Sequence, residues 1–256
     1  MSTYIIIQAR TGSTRLPNKM LMPFFKDKGI LQILLERIIA GFPKNFNKII
    51  VATTDSVSDD RIVDLCEALG IKCFRGSEAD VLGRFIGAAR HYDADKIIRV
   101  CADNVFLDIR LLRELYEELS DTYYDYLSYC KSDGTPSIKT HYGLWAEGAS
   151  LWALESIAKA TNDSLYHEHV TNYIYSHPDK YKISFKKIND TIPGIENHDG
   201  IRLTIDTIED FKLSQKIFQY LSDSDIPMAS ENIVNHVESH PEYLDIMKSI
   251  INQNAK

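Results

Sequence analysis

The feature of this chain that most restricts its fold is a regular alternation of apolar runs and amphipathic segments over residues 4–119. The apolar runs are short, rich in β-branched residues and followed by turn-forming residues, which is typical of buried strands. Strands are predicted at residues 4–9, 48–54, 71–74 and 96–102. Helices are predicted at residues 29–42, 58–69, 81–92 and 109–119. The alternation predicts right-handed βαβ units, and therefore an α/β fold with a mainly parallel sheet flanked by helices.

Polar segments begin at the carboxyl ends of three of the predicted strands. They are QARTGSTRLPNK at residues 8–19, ATTDS at residues 52–56 and CADN at residues 101–104. Parallel strands end at the same edge of a sheet, and α/β proteins bind ligands beyond that edge. We therefore expect the three segments to lie close together and to form a ligand site.

From about residue 122 the pattern is less regular. Helices are predicted at residues 151–160, 166–177 and 207–221, and RLTID at residues 202–206 is predicted as a strand returning to the sheet. No Pro-, Gly- or Ser-rich linker divides the chain, so we predict one domain over residues 1–256. Within it we predict an inserted lobe at residues 130–195 and a C-terminal helical tail at residues 229–256.

The composition excludes several classes of protein. The 256 residues carry a formal net charge of -7, whereas proteins that bind nucleic acids generally need a broad basic field. There is no apolar run long enough to span a membrane, and the first predicted strand begins at residue 4. The four cysteines include no C-x-x-C pair, which favours buried reduced thiols. We expect a cytoplasmic enzyme that binds neither nucleic acid nor membranes.

The segment QARTGSTRLPNK places three cations, Arg10, Arg15 and Lys19, directly after the first strand. Gly12 and Ser13 allow tight turns in which backbone amides can converge on an anion. Arginine and lysine neutralise phosphate charges, and arginine can do so through two hydrogen bonds at once. The spacing matches neither the Walker motif nor the dinucleotide motif G-x-G-x-x-G. The segment is interpreted as a local anion site, with a solvated basic loop as the alternative.

Two carboxylates stand at strand ends, where a metal that bridges phosphates would lie. Asp103 follows the strand at residues 96–102, and its alternative role is to cap the next helix. For Asp108 the cap is the preferred interpretation. Asp206 is the second candidate metal ligand, again with a helix cap as the alternative, while Asp210 suits the dipole of the helix that follows.

The segment YHEHVTNY contains two histidines and a glutamate, which could indicate zinc. On a helix, however, His167 and His169 point about 200° apart, so they cannot easily share one metal ion. A contact with substrate or with a second subunit is the preferred role for Glu168 and His169.

The motifs QARTGSTRLPNKML, VATTDS, FRGSEADVLGRF, CADN, HEHVTNYIYSHP and RLTIDTIEDF occur in the order found in the SpsF-like cytidylyltransferases of spore-coat polysaccharide biosynthesis. The chain also resembles the related CMP-Kdo synthetases and acylneuraminate cytidylyltransferases. The resemblance runs from residue 4 to about residue 215. It implies a Rossmann-like nucleotidyltransferase fold of the GT-A-like type, with CTP as the substrate. It also implies that residues 130–195 build the acceptor pocket and a contact within a homodimer.

The same resemblance implies roles for individual residues. The catalytic set would be Arg10, Arg15, Lys19 and Asp103, and Mg²⁺ would be held by Asp103 and Asp206. The nucleotide site would comprise Gln8, Ala9, Arg10, Gly12, Ser13, Arg15, Lys19, Thr54, Arg75, Gly76, Ser77, Arg84 and Ala102. The candidates for the acceptor are Glu147, Glu168 and His169.

These observations predict a Mg²⁺-dependent cytidylyltransferase, which transfers CMP from CTP to an acceptor and releases pyrophosphate. The predicted acceptor is a 2-keto-3-deoxy sugar acid, and the product would serve surface polysaccharide or glycoconjugate biosynthesis. Three alternatives stay open: a cytidylyltransferase with a phosphorylated or phosphonate acceptor, a nucleotide-sugar glycosyltransferase of GT-A-like fold, and a non-catalytic nucleotide-binding module. The glycosyltransferase is less favoured because Asp103-Asn104 lacks the second aspartate of a D-x-D motif.

Overall fold

The computed structural model describes residues 1–198 and 200–254. These residues form a seven-stranded sheet with the strand order β3-β2-β1-β4-β6-β5-β7. The strands are β1 Thr3–Gln8, β2 Ile49–Thr54, β3 Lys72–Gly76, β4 Lys96–Cys101, β5 Tyr126–Cys130, β6 Glu147–Ser150 and β7 Ile183–Lys187. Neighbouring strands among β1–β4 pair in parallel, as do β5 and β7, whereas β6 is antiparallel to both of its neighbours. The predicted mainly parallel α/β sheet flanked by helices is confirmed.

Helices cover both faces of the sheet. They are α1 Ile30–Gly41, α2 Asp60–Leu69, α3 Val81–His91, α4 Ile109–Asp121, α5 Leu151–Ala160, α6 Ser164–Glu168, α7 Asn172–Ser176, α8 Ile188–Thr191, α9 Ile208–Asp223, α10 Ser230–Glu238 and α11 Pro241–Asn254. Alternate residues of β1 face opposite sides. Ile5 and Ile7 join the core formed with α1, α4 and α9, and Ile6 joins the core formed with α3 and α5. Because both faces of β1 are buried, its sequence is a continuous apolar run rather than an alternation of apolar and polar residues. Over the part of the chain described here, no helix is both long and apolar enough to cross a bilayer.

The prediction of a strand at residues 202–206 is wrong. In the structure, residues 202–206, all of which are described, belong to no strand of the seven-stranded sheet. The amides of Leu203 and Thr204 donate instead to the carbonyl of His141, at 2.8 and 3.3 Å, and the amide of Arg202 donates to the sulfur of Met247. A loop and helix α11 thus supply the acceptors that a neighbouring strand would have supplied.

Two predicted helices are interrupted. The helix predicted at residues 166–177 is divided into α6 and α7, because the intervening residues bond elsewhere. The amide of Asn172 closes a turn on the carbonyl of His169 at 2.6 Å, and the Thr171 hydroxyl donates to Glu147 at 3.0 Å. The C-terminal tail is divided into α10 and α11, where Pro241 opens the second helix, since a proline lacks the N–H that a continuous helix would use.

Residues 130–195 contribute β6 and β7 to the same sheet as β1–β4, together with helices α5–α8. The strands β5, β6 and β7 were not among the predicted strands. The antiparallel β6 reverses the chain direction, so the residues just before it approach the edge at which β4 ends. The acceptor and homodimer roles of this region stay predictions.

Candidate active site

The segment between β1 and α1 forms a compact loop around Thr11. The carbonyl of Thr11 accepts hydrogen bonds from the amides of Ser13, at 2.9 Å, and Asn18, at 3.0 Å. Asn18 has a φ of 59°, in the left-handed region that asparagine adopts more readily than most residues. The loop therefore folds back on itself, and Arg10, Arg15 and Lys19 line one cavity.

This cavity, which we call the phosphate cavity, has a volume of ≈ 260 Å³ and lies at the carboxyl ends of β1 and β4. Its lining consists of Gln8, Arg10, Ser13, Thr14, Arg15, Lys19, Met20, Cys101, Ala102, Asp103, Glu168 and Asp206. Residues predicted from separate motifs thus meet at one edge of the sheet.

The Lys19 ammonium lies between the two aspartates predicted to bind metal. Its nitrogen is 3.1 Å from an oxygen of Asp103, 3.6 Å from an oxygen of Asp206 and 2.5 Å from the carbonyl oxygen of Ile205. The residue is only 5% exposed. Because two carboxylates this close together repel each other, the lysine acts as their counter-ion.

The two arginines of the loop also have carboxylate partners. Arg15 lies 2.8 Å from Asp206, and Arg10 lies 3.6 Å from Glu78. Both arginines are well exposed, so these contacts can be exchanged for an incoming anion at little cost. The cations are held in place but remain available for binding.

Arg202 orients Asp206 from below the cavity. Its guanidinium donates to Asp206 at 2.8 Å and to both oxygens of Asp210, at 2.7 and 3.0 Å. Burial alone would raise the pKa of Asp210, but hydrogen bonds from Arg202 and from the amides of Asp206 and Thr207 lower it below its usual value. Asp210 is therefore an ionised structural partner, which extends its predicted role at the helix terminus.

The remaining predicted nucleotide residues lie outside the lining of the phosphate cavity. Ala9 is buried, whereas Gly12 is exposed. A Cβ added at Gly12 would come within 2.7 Å of a carboxylate oxygen of Glu78, so that side chain lies next to the glycine. Arg75 donates to the carbonyls of Thr54 and Ser56 and to Asp60. Its guanidinium thus ties the end of β3 to the loop after β2.

Arg84, also predicted to bind the nucleotide, is 1% exposed and runs beneath Gly76. One of its nitrogens donates to the carbonyl of Ser77 at 2.6 Å. Its other two nitrogens are buried and have no hydrogen-bond partner among the described residues. Burial, together with the nearby charge of Arg10, lowers the pKa of Arg84. Nucleotide contacts for Thr54, Arg75, Gly76, Ser77 and Arg84 stay predictions.

A second cavity, of ≈ 470 Å³, adjoins the first and shares Arg15, Cys101, Asp103 and Asp206 with it. We call it the acceptor cavity. Its other lining residues are Asn104, Ser137, Ile138, Lys139, Thr140, His141, Gly143, Trp145, His169 and Thr204. Of the predicted acceptor residues, His169 lines this cavity and Glu168 lines the phosphate cavity.

Glu147, the third predicted acceptor residue, lies in the interior. It is 2% exposed, and its carboxylate accepts hydrogen bonds from Arg99, Tyr126 and Thr171. These bonds would have to break before an acceptor could reach the carboxylate. Its contact with an acceptor stays a prediction, and the observed role of Glu147 is to hold α7 against β4.

Several residues of the site were not predicted. Lys139 and His141 line the acceptor cavity, and no motif marks either of them. Arg202 donates to Nδ1 of His141 at 2.8 Å, which fixes the neutral tautomer with the proton on Nε2, because a guanidinium can only donate. Burial and the charge of Arg202 lower the pKa of His141. His167, in contrast, lies 2.8 Å from Asp80, away from His169 and its cavity.

Comparison with known proteins extends these observations. The model of the family described as Cytidylyltransferase matches residues 4–242. The chain is 38% identical over 245 residues to an uncharacterized protein of Methanocaldococcus jannaschii, covering 96% of this chain and 94% of that protein. It is 34% identical over 232 residues to the spore coat polysaccharide biosynthesis protein SpsF of Bacillus subtilis, covering 89% of this chain and 91% of that one.

Solved structures share the fold. A cytidylyltransferase from Leptospira borgpetersenii superposes with a TM-score of 0.78 at 28% identity, over 95% of this chain and 97% of that chain. A CMP:2-keto-3-deoxy-manno-octonic acid synthetase complexed with CTP superposes with a TM-score of 0.60 at 14% identity, over 86% of this chain and 99% of that chain. The second likeness concerns the fold alone.

The chain has a Rossmann-like sheet, and a cationic loop and two aspartates lie at one edge of it. The family match and the relatives at 34% and 28% identity make it a nucleotidyltransferase. The family match covers nearly the whole chain. The chain belongs to the cytidylyltransferase family, and it is an enzyme that uses CTP as the donor of CMP. The predicted resemblance to SpsF-like enzymes is confirmed.

Proposed function

We propose that this enzyme transfers CMP from CTP to a 2-keto-3-deoxy sugar acid in a Mg²⁺-dependent reaction. The observation that carries the proposal is the shared wall of the two cavities, where Arg15, Asp103 and Asp206 line both. A reaction between a triphosphate on one side and an acceptor on the other would take place at this wall. Positioning and charge neutralisation dominate such phosphoryl-type transfers, since little covalent chemistry falls to the protein.

The phosphate cavity would bind the triphosphate of CTP. Arg10, Arg15 and Lys19 would contact its oxygens and neutralise the charge that accumulates on the leaving pyrophosphate. An acceptor oxygen would attack the α-phosphorus as the bond from that phosphorus to the oxygen bridging to the β-phosphate breaks. The acceptor's hydroxyl proton would pass to solvent, and pyrophosphate would leave.

Asp103 and Asp206 are the residues that would hold the metal. Among the described residues, no group of three or more His, Cys, Asp or Glu side chains is arranged around one point. Two carboxylates fit Mg²⁺, which commonly takes one or two protein carboxylates and completes its shell with water and substrate phosphates. The bound ion would neutralise phosphate charge and lower the pKa of the acceptor hydroxyl.

The acceptor cavity supports an acidic acceptor. Lys139 and His141 line it, and Arg15 lines the wall that it shares with the phosphate cavity. Since His141 keeps its proton on Nε2, it can donate a hydrogen bond to a carboxylate without being charged. A phosphorylated or phosphonate acceptor would meet the same cations, so it is the second candidate.

The relatives support a role in surface polysaccharide biosynthesis. The curated relative at 34% identity is named for spore coat polysaccharide biosynthesis, and a structural neighbour is a CMP:2-keto-3-deoxy-manno-octonic acid synthetase. A cytoplasmic location belongs to the same proposal.

The test is an assay of pyrophosphate release from CTP and Mg²⁺ with a panel of eight- and nine-carbon 2-keto-3-deoxy sugar acids, phosphorylated sugars and phosphonates. We expect turnover with at least one sugar acid, and a fall in kcat/KM on the order of 10²- to 10³-fold for Asp103→Asn. Asp64→Asn, an exposed carboxylate on α2, is the matched control and should keep the wild-type rate. Turnover with phosphorylated or phosphonate acceptors alone would overturn the proposed acceptor, and an unimpaired Asp103→Asn enzyme would overturn the metal assignment.

A further inference from the structure

The loop that carries the phosphate cations is anchored at one uncharged residue, Thr11. This residue is 3% exposed and lies outside the lining of the phosphate cavity, whereas Arg10 and Ser13 on either side of it line the cavity. Its carbonyl receives the two amides that fold the loop back. The position of Thr11 therefore sets where its cationic neighbours lie.

A buried carboxylate holds Thr11 from behind. One oxygen of Asp59 accepts the Thr11 amide at 2.7 Å and the Thr11 hydroxyl at 2.6 Å. The other oxygen accepts the Thr53 hydroxyl at 2.9 Å, the Thr54 amide at 3.2 Å and the Thr54 hydroxyl at 2.6 Å. Asp59 is 1% exposed and stands just before α2. The carboxylate thus joins the loop after β1 to the end of β2.

We propose that Asp59 is a positioning residue for CTP, which acts by fixing the Thr11 peptide and hence the place of the phosphate-binding cations. The inference concerns the triphosphate side of the site. It is therefore independent of the acceptor and of the metal proposed above.

The chemistry of the contacts explains why a carboxylate stands here. Every partner of Asp59 named above is a donor, and an ionised carboxylate only accepts. An asparagine would have to turn its amide nitrogen toward one of the two groups of donors. The threonine hydroxyls could rotate to accept, but the backbone amide of Thr11 or of Thr54 would then be left buried without an acceptor.

Two valine substitutions separate positioning from general stability. Thr11→Val and Thr53→Val each remove one hydroxyl that donates to Asp59, but only Thr11 belongs to the phosphate loop. We expect similar losses in melting temperature for the two variants. We expect Thr11→Val to lower kcat/KM for CTP about tenfold, and Thr53→Val to leave kcat and KM at wild-type values, because only the first shifts the loop.

Asp59→Asn should have the larger effect, a rise in the KM for CTP approaching about 10²-fold, with the KM for the acceptor unchanged. Binding of inorganic tripolyphosphate, measured by calorimetry, is a second test that involves neither the cytosine base nor the acceptor. Binding should weaken most in Asp59→Asn, less in Thr11→Val, and not at all in Thr53→Val. If Asp59→Asn does not fold, the two valine variants decide the question.

Equal weakening of tripolyphosphate binding by Thr11→Val and Thr53→Val would overturn the proposal, because Asp59 would then act through stability alone. Unchanged binding in Thr11→Val would overturn it as well. A failure of the sugar-acid assay would leave these binding results unaffected, so the two proposals can fail separately.

Discussion

The loop at residues 9–19 and the segment at residues 201–207 face each other across the phosphate cavity, and they are built in opposite ways. The loop supplies cations and is anchored by a buried carboxylate, Asp59. The segment supplies a carboxylate, Asp206, and is anchored by a buried guanidinium, Arg202. Neither is assigned to a strand, and each is held by a buried charged side chain in addition to its backbone hydrogen bonds.

The two anchors differ in what they touch. Asp59 contacts Thr11 and leaves the exposed Arg10 and Arg15 available for ligands. Arg202 contacts Asp206 itself, the carboxylate proposed to bind the metal. A change at Asp59 should therefore alter the position of the cations but not their charge, whereas a change at Arg202 should alter the electrostatics of Asp206 directly.

The largest effect that tests this comparison is expected for Arg202→Lys. Lysine keeps the charge but lacks the planar fork that reaches Asp206, Asp210 and His141 together. If Asp206 holds the metal as proposed, kcat/KM at limiting Mg²⁺ should fall about 10- to 100-fold, because loss of a residue that orients a metal ligand generally has an effect of this size. The free energy of unfolding should fall by about 1–3 kcal/mol, since a buried acceptor loses its donor. A Mg²⁺ titration of activity and a urea denaturation curve measure the two effects.

Arg110→Lys is the matched control, because Arg110 is an exposed arginine that pairs with Glu231 at 2.6 Å. Surface pairs of this kind contribute about 0–1 kcal/mol, so activity and the Mg²⁺ dependence should stay at wild-type values. Identical behaviour of the two lysine variants would show that the fork at Arg202 does not position Asp206.

The sequence predicts the loop better than the segment, for a physical reason. Buried parallel strands such as β1 are apolar on both faces, so the cations after them stand out. RLTID has the same appearance, but its first residue is a buried arginine whose partners are carboxylates. A sequence pattern cannot distinguish an extended segment that pairs with a strand from one that bonds to a loop.

The anchors themselves could not be predicted. Thr11 and Asp59 lie 48 positions apart, and His141 and Arg202 lie 61 apart, so only the fold brings each pair together. Strands β5 and β7 escaped prediction because their tyrosines and lysines hide the apolar pattern. The position of charged residues at strand ends can be predicted from the order of strands and helices. Contacts between distant loops depend on tertiary packing, which the sequence pattern does not show.

A loss of stability at acid pH, through protonation of Asp59, is the effect of intermediate size. Burial alone would raise the pKa of Asp59, but the hydrogen bonds from Thr11, Thr54 and Thr53 lower it below its usual value. Since the unfolded chain then binds the proton more tightly, this contribution to stability is complete above the unfolded pKa, near 4, and is lost as the pH falls through the folded pKa.

Denaturant unfolding at a series of pH values from 5 down to 2.5 measures this contribution. In this pH range, the slope of the unfolding free energy against pH gives the number of protons bound on unfolding. Asp59→Asn should reduce that number by at most about one. An unchanged slope in the variant would mean that Asp59 is not the ionised anchor of the loop.

The smallest effect is expected for Glu78→Gln. The pair of Arg10 and Glu78 is half exposed on both sides, so its contribution is at most about 1 kcal/mol. Removing the competing carboxylate should lower the KM for CTP by no more than about fivefold, with kcat unchanged. Glu67→Gln on the exposed side of α2 is the control, and a rise in KM in the Glu78 variant would show that Glu78 assists binding.

The place of Lys19 has a consequence for the order of events during turnover. Its ammonium already occupies the space between Asp103 and Asp206, so a free divalent ion would compete with a tethered monovalent one. In the proposed site, the phosphates of the nucleotide would give the ammonium new partners and would release both aspartates. Under the proposed chemistry, Mg²⁺ would therefore not bind to the enzyme without nucleotide. It would bind only as a complex with CTP.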